Sequence, residues 1–304
     1  MLKLTVKSPK TTTIGTFDGV HVGHQKILNH VVRLAEKQGY APTVLTLFPH
    51  PRMVLQKDDS IKLLNTIEER VALLKSIGIE TIIVKEFTKK FSNLSAEDYV
   101  KTILVNEINT KQIVIGYDHH FGKNRTANIT DLKKFAKEYD FTVEEISAQD
   151  IENVTVSSTK IRNALNEGKV ALANSFLGYN YFITGKVIKG KGLGRTLDFP
   201  TANIYIKESY KLIPEDGVYI VKSRFKEEVI YGMMNIGTNP TVNGKTKSIE
   251  VHFINFNEDI YSSELKIEFL KRLRHEQKFK NLEALKTQLQ NDRTNALDYM
   301  NNLK

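Results

Sequence analysis

The chain is 304 residues long, with 40% hydrophobic and 26% charged residues and a formal charge of +9. That length favours two domains over one. There is no cysteine, which excludes disulfides, thiolate metal sites and cysteine nucleophiles. No apolar run approaches the roughly 20 residues of a membrane helix, and residues 1–6 lack the apolar core of a signal peptide, so a cytoplasmic protein with no membrane partner is expected. The basic residues are scattered in pairs such as Lys89-Lys90, Lys133-Lys134 and Lys271-Arg272. Such pairs describe solvated faces, and no nucleic-acid partner is expected; small polyphosphates suit the same charge.

The first 180 residues alternate short β-branched runs with helical patterns, the signature of a parallel α/β sheet. Strands are expected at 11–16, 43–48, 81–84, 112–116 and 142–146. Ile27, Val31, Leu34 and Ala35 repeat at helical spacing, as do Val71, Leu74 and Ile77. Ser95 with Asp98 predicts a capping box ahead of Tyr99, Ile103 and Leu104. Two short helices follow, at 158–167 and 170–177.

From Tyr181 the period falls to two. Ile183/Gly185/Val187, Val218/Ile220 against Tyr219/Val221, Ile249/Val251/Phe253 and Leu265/Ile267/Phe269 predict a small antiparallel barrel. One helix closes the chain, capped by Asn281 and carrying Leu282, Leu285, Leu289, Ala296 and Met300. The expected architecture is a Rossmann-like nucleotide-binding domain, 1–180, followed by a barrel domain, 181–304, with a C-terminal helix.

The densest signal in the first domain is Gly15-Thr16-Phe17-Asp18-Gly19-Val20-His21-Val22-Gly23-His24. It follows a predicted strand and opens a helix at Gly23. Gly15 and Gly19 let backbone approach a ligand, and the helix N-terminus offers free N–H groups to a phosphate. His21 and His24, three residues apart, can face one anion and donate hydrogen bonds to charge developing on phosphorus. Near the end of the domain, Ser158 predicts a helix N-cap with the Thr159 hydroxyl beside it. Arg162, one turn on, can clamp a polyphosphate.

The second dense signal runs from Gly185 to Asn203. Gly190, Gly192 and Gly194 alternate with Lys191, Leu193 and Arg195 ahead of Phe199-Pro200-Thr201-Ala202-Asn203. The glycines predict a phosphate-accommodating loop, with Lys191 and Arg195 supplying charge. The G-K-[ST] ending of a P-loop is absent. On the strand 249–253, alternation sets Glu250 and His252 on the face opposite Ile249, Val251 and Phe253.

The first motif resembles G-x-F-D-G-x-H-x-G-H, the opening of the bacterial bifunctional riboflavin kinase/FMN adenylyltransferase family, whose first domain is an H-x-G-H nucleotidyltransferase. Phe48-Pro49-His50-Pro51 resembles that family's F-x-P-H-P loop. Residues 116–122 resemble its G-x-D-F-x-F-G segment, with His119 where phenylalanine is usual and Lys123-Asn124-Arg125 following. Residues 157–162 resemble its S-S-T-x-I-R motif. His119 and His120, as neighbours on an extended segment, are expected to point to opposite sides. In the second half, residues 192–203 resemble the riboflavin kinase signature G-x-G-R-x-x-G-F-P-T-A-N, with Asp198 in place of glycine. Residues 235–241 resemble N-I-G-x-x-P-T, Ser248 to His252 an E-x-H strand, and Arg274 to Phe279 an R-x-E-x-x-F closing segment.

The resemblance implies that riboflavin is phosphorylated to FMN with ATP, and that FMN, the intermediate, is adenylylated to FAD with a second ATP. It assigns Glu250 as kinase base, Thr201 and Asn203 as Mg²⁺ and phosphate holders, and Gly190, Lys191, Gly192, Gly194 and Arg195 as ATP contacts. In the first domain it assigns ATP to Gly15, Phe17, Asp18, Gly23, Asp118, Ser158 and Thr159, with His21, His24 and Arg162 serving adenylyl transfer. His50, Asn124, Arg125 and Arg274 are expected flavin or phosphate contacts.

Overall fold

A computed structural model describes residues 8–56, 61–116, 119–146, 156–189, 199–241 and 244–302. The chain divides into two compact units, Met1–Ser157 and Ser158–Lys304.

The first unit is built on five parallel strands, β1 (Lys10–Ile14), β2 (Ala41–Phe48), β3 (Thr81–Glu86), β4 (Thr110–Gly116) and β5 (Thr142–Ile146), in the order β3-β2-β1-β4-β5. All five expected strands are present. Only the first is displaced: it stops at Ile14, and Gly15 and Thr16 continue past it with the Gly15 N–H still on the Leu45 carbonyl of β2.

Strand alternation divides the core into two layers. Val44 and Val114 pack with Leu28 and Val31 of α1 (Val22–Gln38) and Leu74 of α3 (Ile67–Ser76), the short α2 (Pro51–Leu55) lying between those helices in sequence. Leu45, Ile113 and Ile115 face the other way. They pack against Leu104, in the helical segment after Ser95, and Leu132 of the helix Ile129–Glu138. The Ser95 hydroxyl accepts from the Asp98 N–H, as expected of a cap, but donates to the Asp98 carboxylate instead of leaving it to reach back to backbone. Beyond that turn, Tyr99–Glu107 is wound as a π-helix.

Sequential strands run outward in both directions from β1, so the order reverses between β1 and β4. A doubly wound sheet opens a crevice at that point, outside the carboxyl ends of its strands. The glycine–histidine motif leaves the carboxyl end of β1, and residues 116–125 leave that of β4.

The second unit is a closed antiparallel barrel of six strands: β6 (Phe182–Ile188), β7 (Ala202–Tyr205), β8 (Gly217–Phe225), β9 (Glu228–Thr241), β10 (Gly244–Phe253) and β11 (Glu264–Arg274), in the order β10-β7-β6-β11-β8-β9. Inward residues are the period-two apolar set, including Ile183, Val187, Val251, Ile267 and Phe269. β7 and β9 were not expected from the pattern. Residues 218–221 are buried on both faces because the closing helix, Leu282–Asn301, covers the outside of β8. There Ile220, Met233 and Leu270 meet Leu289 and Ala296. Asn281 caps that helix by accepting from the Ala284 N–H. Leu282, expected on the apolar stripe, is instead 66% exposed, as Glu283 and Ala284 beside it are also exposed.

The helices Ser158–Asn166 and Val170–Leu177 belong with the barrel in compactness. Asn174 is the reason: its side chain accepts from the Tyr181 N–H at 2.7 Å and donates to the Phe269 carbonyl at 2.9 Å. A change of strand period marks residue 180, whereas these contacts bind the two preceding helices to the barrel strands.

Candidate active sites

In the first unit, the motif turn is held in a conformation that its side chains resist. Phe17 and Val20 have φ of 48° and 36°, and Gly19 has 85°. Only the glycine adopts this region freely, and a β-branched valine there is an outlier. Each such residue costs about 1–3 kcal/mol. Burial of the Phe17 and Val20 side chains offsets part of that strain.

His21 is the N-cap of α1, one residue earlier than the expected start, and its Nδ1 accepts from the His24 N–H at 3.3 Å. An accepting Nδ1 carries no proton, so the neutral ring bears its proton on Nε2. Burial lowers the His21 pKa to about 4, against the raising effects of Asp18 and a backbone contact. His24 is held well below the ordinary histidine range, by burial first and then by the His21 and Arg70 charges. The two rings stack at 3.6 Å, and Phe17 meets the His24 ring edge-on at 5.2 Å. Both histidines are therefore neutral donors at neutral pH.

Asp18 is fully buried, and its carboxylate turns inward rather than toward the crevice. It accepts from the Leu64 and Asn65 N–H groups at 3.0 and 3.3 Å and pairs with Arg70 at 3.5 Å. Arg70, Asn65 and Thr46 carried no sequence signal and belong to the same assembly. An Arg preceded by two glutamates in a helix reads as a solvated charge until the fold places it.

Beside Gly15 and Thr16 opens a cavity of about 530 Å³. Its walls include Leu47, Phe87, Phe91, Tyr99 and Phe121, and its rim carries Lys89, His119, His120, Asn124 and Arg125. His119 and His120 both border this cavity, the first half-buried and the second exposed. Asn124 and Arg125 both have positive φ, and both are exposed at the rim. His50 does not line this cavity; it caps α2, with Nδ1 accepting from the Arg52 N–H. Gly23 is buried in the first turn of α1. Asp118 lies outside the described residues.

Ser158 is the first helical residue of its helix rather than the cap, which moves the capping position back to Ser157. Thr159 and Arg162 follow within that turn and the next, all in the second compact unit.

In the barrel, register assembles the other site. Glu250 of β10 stands directly opposite Asn203 of β7 on one side and Asn235 of β9 on the other. Directly paired residues share a face of the sheet with Cβ atoms about 5 Å apart. The Thr201 hydroxyl donates to Glu250 Oε2 at 3.2 Å. Three of the residues singled out from sequence therefore converge, and Asn235, quoted only as part of a motif, joins them. His252 donates through Nδ1 to the Pro200 carbonyl at 2.9 Å and packs edge-on against Phe199. It fastens the Phe199–Thr201 stretch to β10. A cavity of about 360 Å³ opens beside Thr201, bounded by Val187, Ala202, Phe253 and Tyr261.

Arg274 is engaged within the barrel unit. Its Nε and Nη2 grip the buried Asp292 carboxylate at 2.8–3.1 Å, tying β11 to the closing helix. Gly190, Lys191, Gly192, Gly194, Arg195 and Asp198 lie outside the described residues.

The donors at Thr201, Asn203 and Glu250 are hard oxygens, the chemistry Mg²⁺ prefers. Among the described residues no group of three or more His, Asp or Glu could hold a metal by itself. The donor set therefore fits a metal shared with a phosphate.

Residues 4–160 match the FAD synthetase family and residues 177–300 the riboflavin kinase family. A bifunctional riboflavin kinase/FMN adenylyltransferase from Buchnera aphidicola is 38% identical over 97% of this chain and 96% of its own length. The Bacillus subtilis enzyme of that description is 37% identical over 96% and 92%. A crystal structure described as a macrolide-efflux protein from Streptococcus pneumoniae superposes with a TM-score of 0.85 at 30% identity, covering 94% of this chain and 93% of that one. No helix among the described residues is long and apolar enough to cross a membrane. With both family matches in order and its relatives aligned nearly end to end, the chain belongs to the bifunctional riboflavin kinase/FMN adenylyltransferase family.

Proposed function

We propose that the two reactions of this family run at separate sites in this chain, kinase chemistry at Glu250 in the barrel and adenylyl transfer at His21 and His24 in the α/β unit. The chain is a bifunctional transferase that converts riboflavin and ATP to FMN and ADP, then FMN and ATP to FAD and pyrophosphate. In the first step Glu250 accepts the proton of the riboflavin 5′-hydroxyl as its oxygen bonds to the γ-phosphorus and the bond to the β-phosphate oxygen breaks. Thr201 and Asn203 would hold Mg²⁺, which neutralises phosphate charge when bound. Thr201 donates to the base itself, which leaves its oxygen lone pairs for a metal ion.

In the second step an FMN phosphate oxygen attacks the α-phosphorus of ATP and pyrophosphate leaves. His21 and His24, as neutral donors, stabilise the charge on the transferring phosphoryl oxygens without carrying charge of their own. For Ser158, Thr159 and Arg162 we propose the pyrophosphate-holding role that their motif implies. The aromatic cavity beside Gly15 matches the isoalloxazine in chemistry, and its Asn124–Arg125 rim matches the phosphate. ATP and both flavins are small-molecule partners met in the cytoplasm.

The observation that carries this reading is the pairing of Glu250 with Asn203 across β10 and β7, with the Thr201 hydroxyl 3.2 Å from the carboxylate. It is tested by incubating the chain with riboflavin and MgATP and separating the flavins by chromatography. FMN should appear first and FAD later; no FMN at any time would sink the kinase assignment.

A further inference from the structure

The motif turn of the adenylyl-transfer site carries two side-chain-bearing residues in left-handed backbone, Phe17 and Val20, immediately before His21. Strain of that kind persists only where surrounding structure over-determines it. Four buried polar residues do so here. Asp18 receives the Leu64 and Asn65 N–H groups, and the Asn65 side chain returns the contact by accepting from the Gly19 N–H at 2.9 Å. Arg70 reaches Asp18 with Nη2 and the Thr46 hydroxyl with Nη1, both at 3.5 Å. Thr46 in turn donates to the Thr16 carbonyl at 3.1 Å. Every residue from Thr16 to Val20 is thus pinned, by this network or by the Val20 N–H to Phe17 carbonyl bond and the Gln25 amide on the Val20 carbonyl.

Asp18, Asn65, Thr46 and Arg70 are all at most 1% exposed, so none of them touches substrate directly. Arg70 stands at the centre, since one guanidinium spans from the start of the turn, through Thr46, to its middle, through Asp18. A planar fork reaches the two ends with separate nitrogens, whereas an ammonium must reach both from one. We infer that Arg70 is a positioning residue for adenylyl transfer, locking the Thr16–Val20 turn through Asp18 and Thr46 so that His21 and His24 are aimed at the transferring phosphoryl group. The inference rests on the assignment of His21 and His24 to that reaction.

A displacement of about 1 Å in a catalytic group costs about 10²-fold in rate. Arg70→Met should therefore lower kcat for FAD formation from supplied FMN by about 10²-fold, with KM for ATP and FMN changed little. FMN formation in the barrel of the same chain should continue at the native rate and reports that the barrel unit is intact, while circular dichroism reports the fold of the first unit. The charged groups facing the two imidazoles are Asp18, Arg70 and each other. Removing the Arg70 charge eases protonation of His24, so the acid limb of the adenylylation profile should move to higher pH. Arg70→Lys should return that limb toward its native place, because the charge is kept, while recovering only part of kcat. If Arg70→Met unfolds the first unit, Asp18→Asn/Arg70→Met removes both charges at similar volume and should show the same kcat loss. Native kcat in either folded variant would overturn the inference, as would a loss confined to thermal stability with an unmoved pH profile. His24→Ala, run in parallel, separates the two levels. If it leaves FAD formation intact, the site assignment itself fails; if it abolishes FAD formation while the Arg70 variants do not, only the positioning role fails.

Discussion

Replacing Arg274 with Met should destabilise the barrel unit severely, because this guanidinium clamps β11 to the closing helix. Asp292 is a buried carboxylate on the closing helix, with its side chain 2% exposed. Arg274 supplies three contacts to it, at 3.1, 3.0 and 2.8 Å, and among the described residues the neutral Gln288 amide, at 2.9 Å, is what remains when the arginine is gone. Removing one partner of a buried ion pair costs about 3–5 kcal/mol. For a unit of this size that corresponds to a drop in Tm on the order of 10 °C. Thermal unfolding followed by circular dichroism reads it, with riboflavin kinase activity assayed well below the transition. The companion variant Arg274→Met/Asp292→Leu removes both charges and should recover most of the loss. A native Tm in Arg274→Met, accompanied by a raised KM for riboflavin, would refute the reasoning and restore Arg274 to the flavin contacts that its motif implies.

The two sites carry outcomes of their own. Folding depresses the His21 pKa from 6.5 to about 4, so the folded chain binds fewer protons than the unfolded chain between those values. The stabilisation is complete above pH 6.5 and is lost as pH falls through the window, on the order of 3 kcal/mol in all; His21→Gln should flatten the stability–pH slope there, and an unchanged slope in urea titrations would contradict it. Adenylylation by the native chain should show no acid limb near 6.5, the value of a free histidine; a limb at that pH would mean that an exposed imidazole governs the step. Because Thr201 and Asn203 are neutral ligands, Mg²⁺ should bind weakly until nucleotide arrives, and calorimetry showing tight binding to the nucleotide-free chain would contradict a shared metal.

Both layers of the fold were legible where pattern and burial agree. The five parallel strands announced themselves because β-branched runs alternate with amphipathic helices, and the inward barrel residues because Ile249, Val251 and Phe253 skip every second position. β9 was hidden by its own composition: Gly232, Gly237 and Pro240 break any alternation, and its partners on β8 and β10 sustain it instead. β7, at four residues, is too short to show a period. Glu250, Thr201 and Asn203 could be named from motifs, but their convergence depends on β7 pairing with β10 across nearly fifty residues. Asp18 and Arg274 share a feature that the sequence hides. Each is a charged motif residue, and each pairs with a distant buried partner. Arg70 and Asp292, those partners, look in sequence like ordinary helix-surface charges, because what buries them is tertiary packing alone.

The central claim is that one chain carries two independent sites, and a paired assay of His24→Ala and Glu250→Gln tests it most directly. His24→Ala removes a donor to the α-phosphoryl transition state, a loss of about 10²–10³ in rate. FMN should therefore accumulate from riboflavin while FAD nearly vanishes. Glu250→Gln keeps the shape of the side chain but cannot take a proton, a loss of roughly 10²–10⁴. Riboflavin should then persist, yet supplied FMN should still become FAD at the native rate. Loss of FAD formation from supplied FMN in folded Glu250→Gln, or loss of FMN formation in folded His24→Ala, would contradict the separation of the sites.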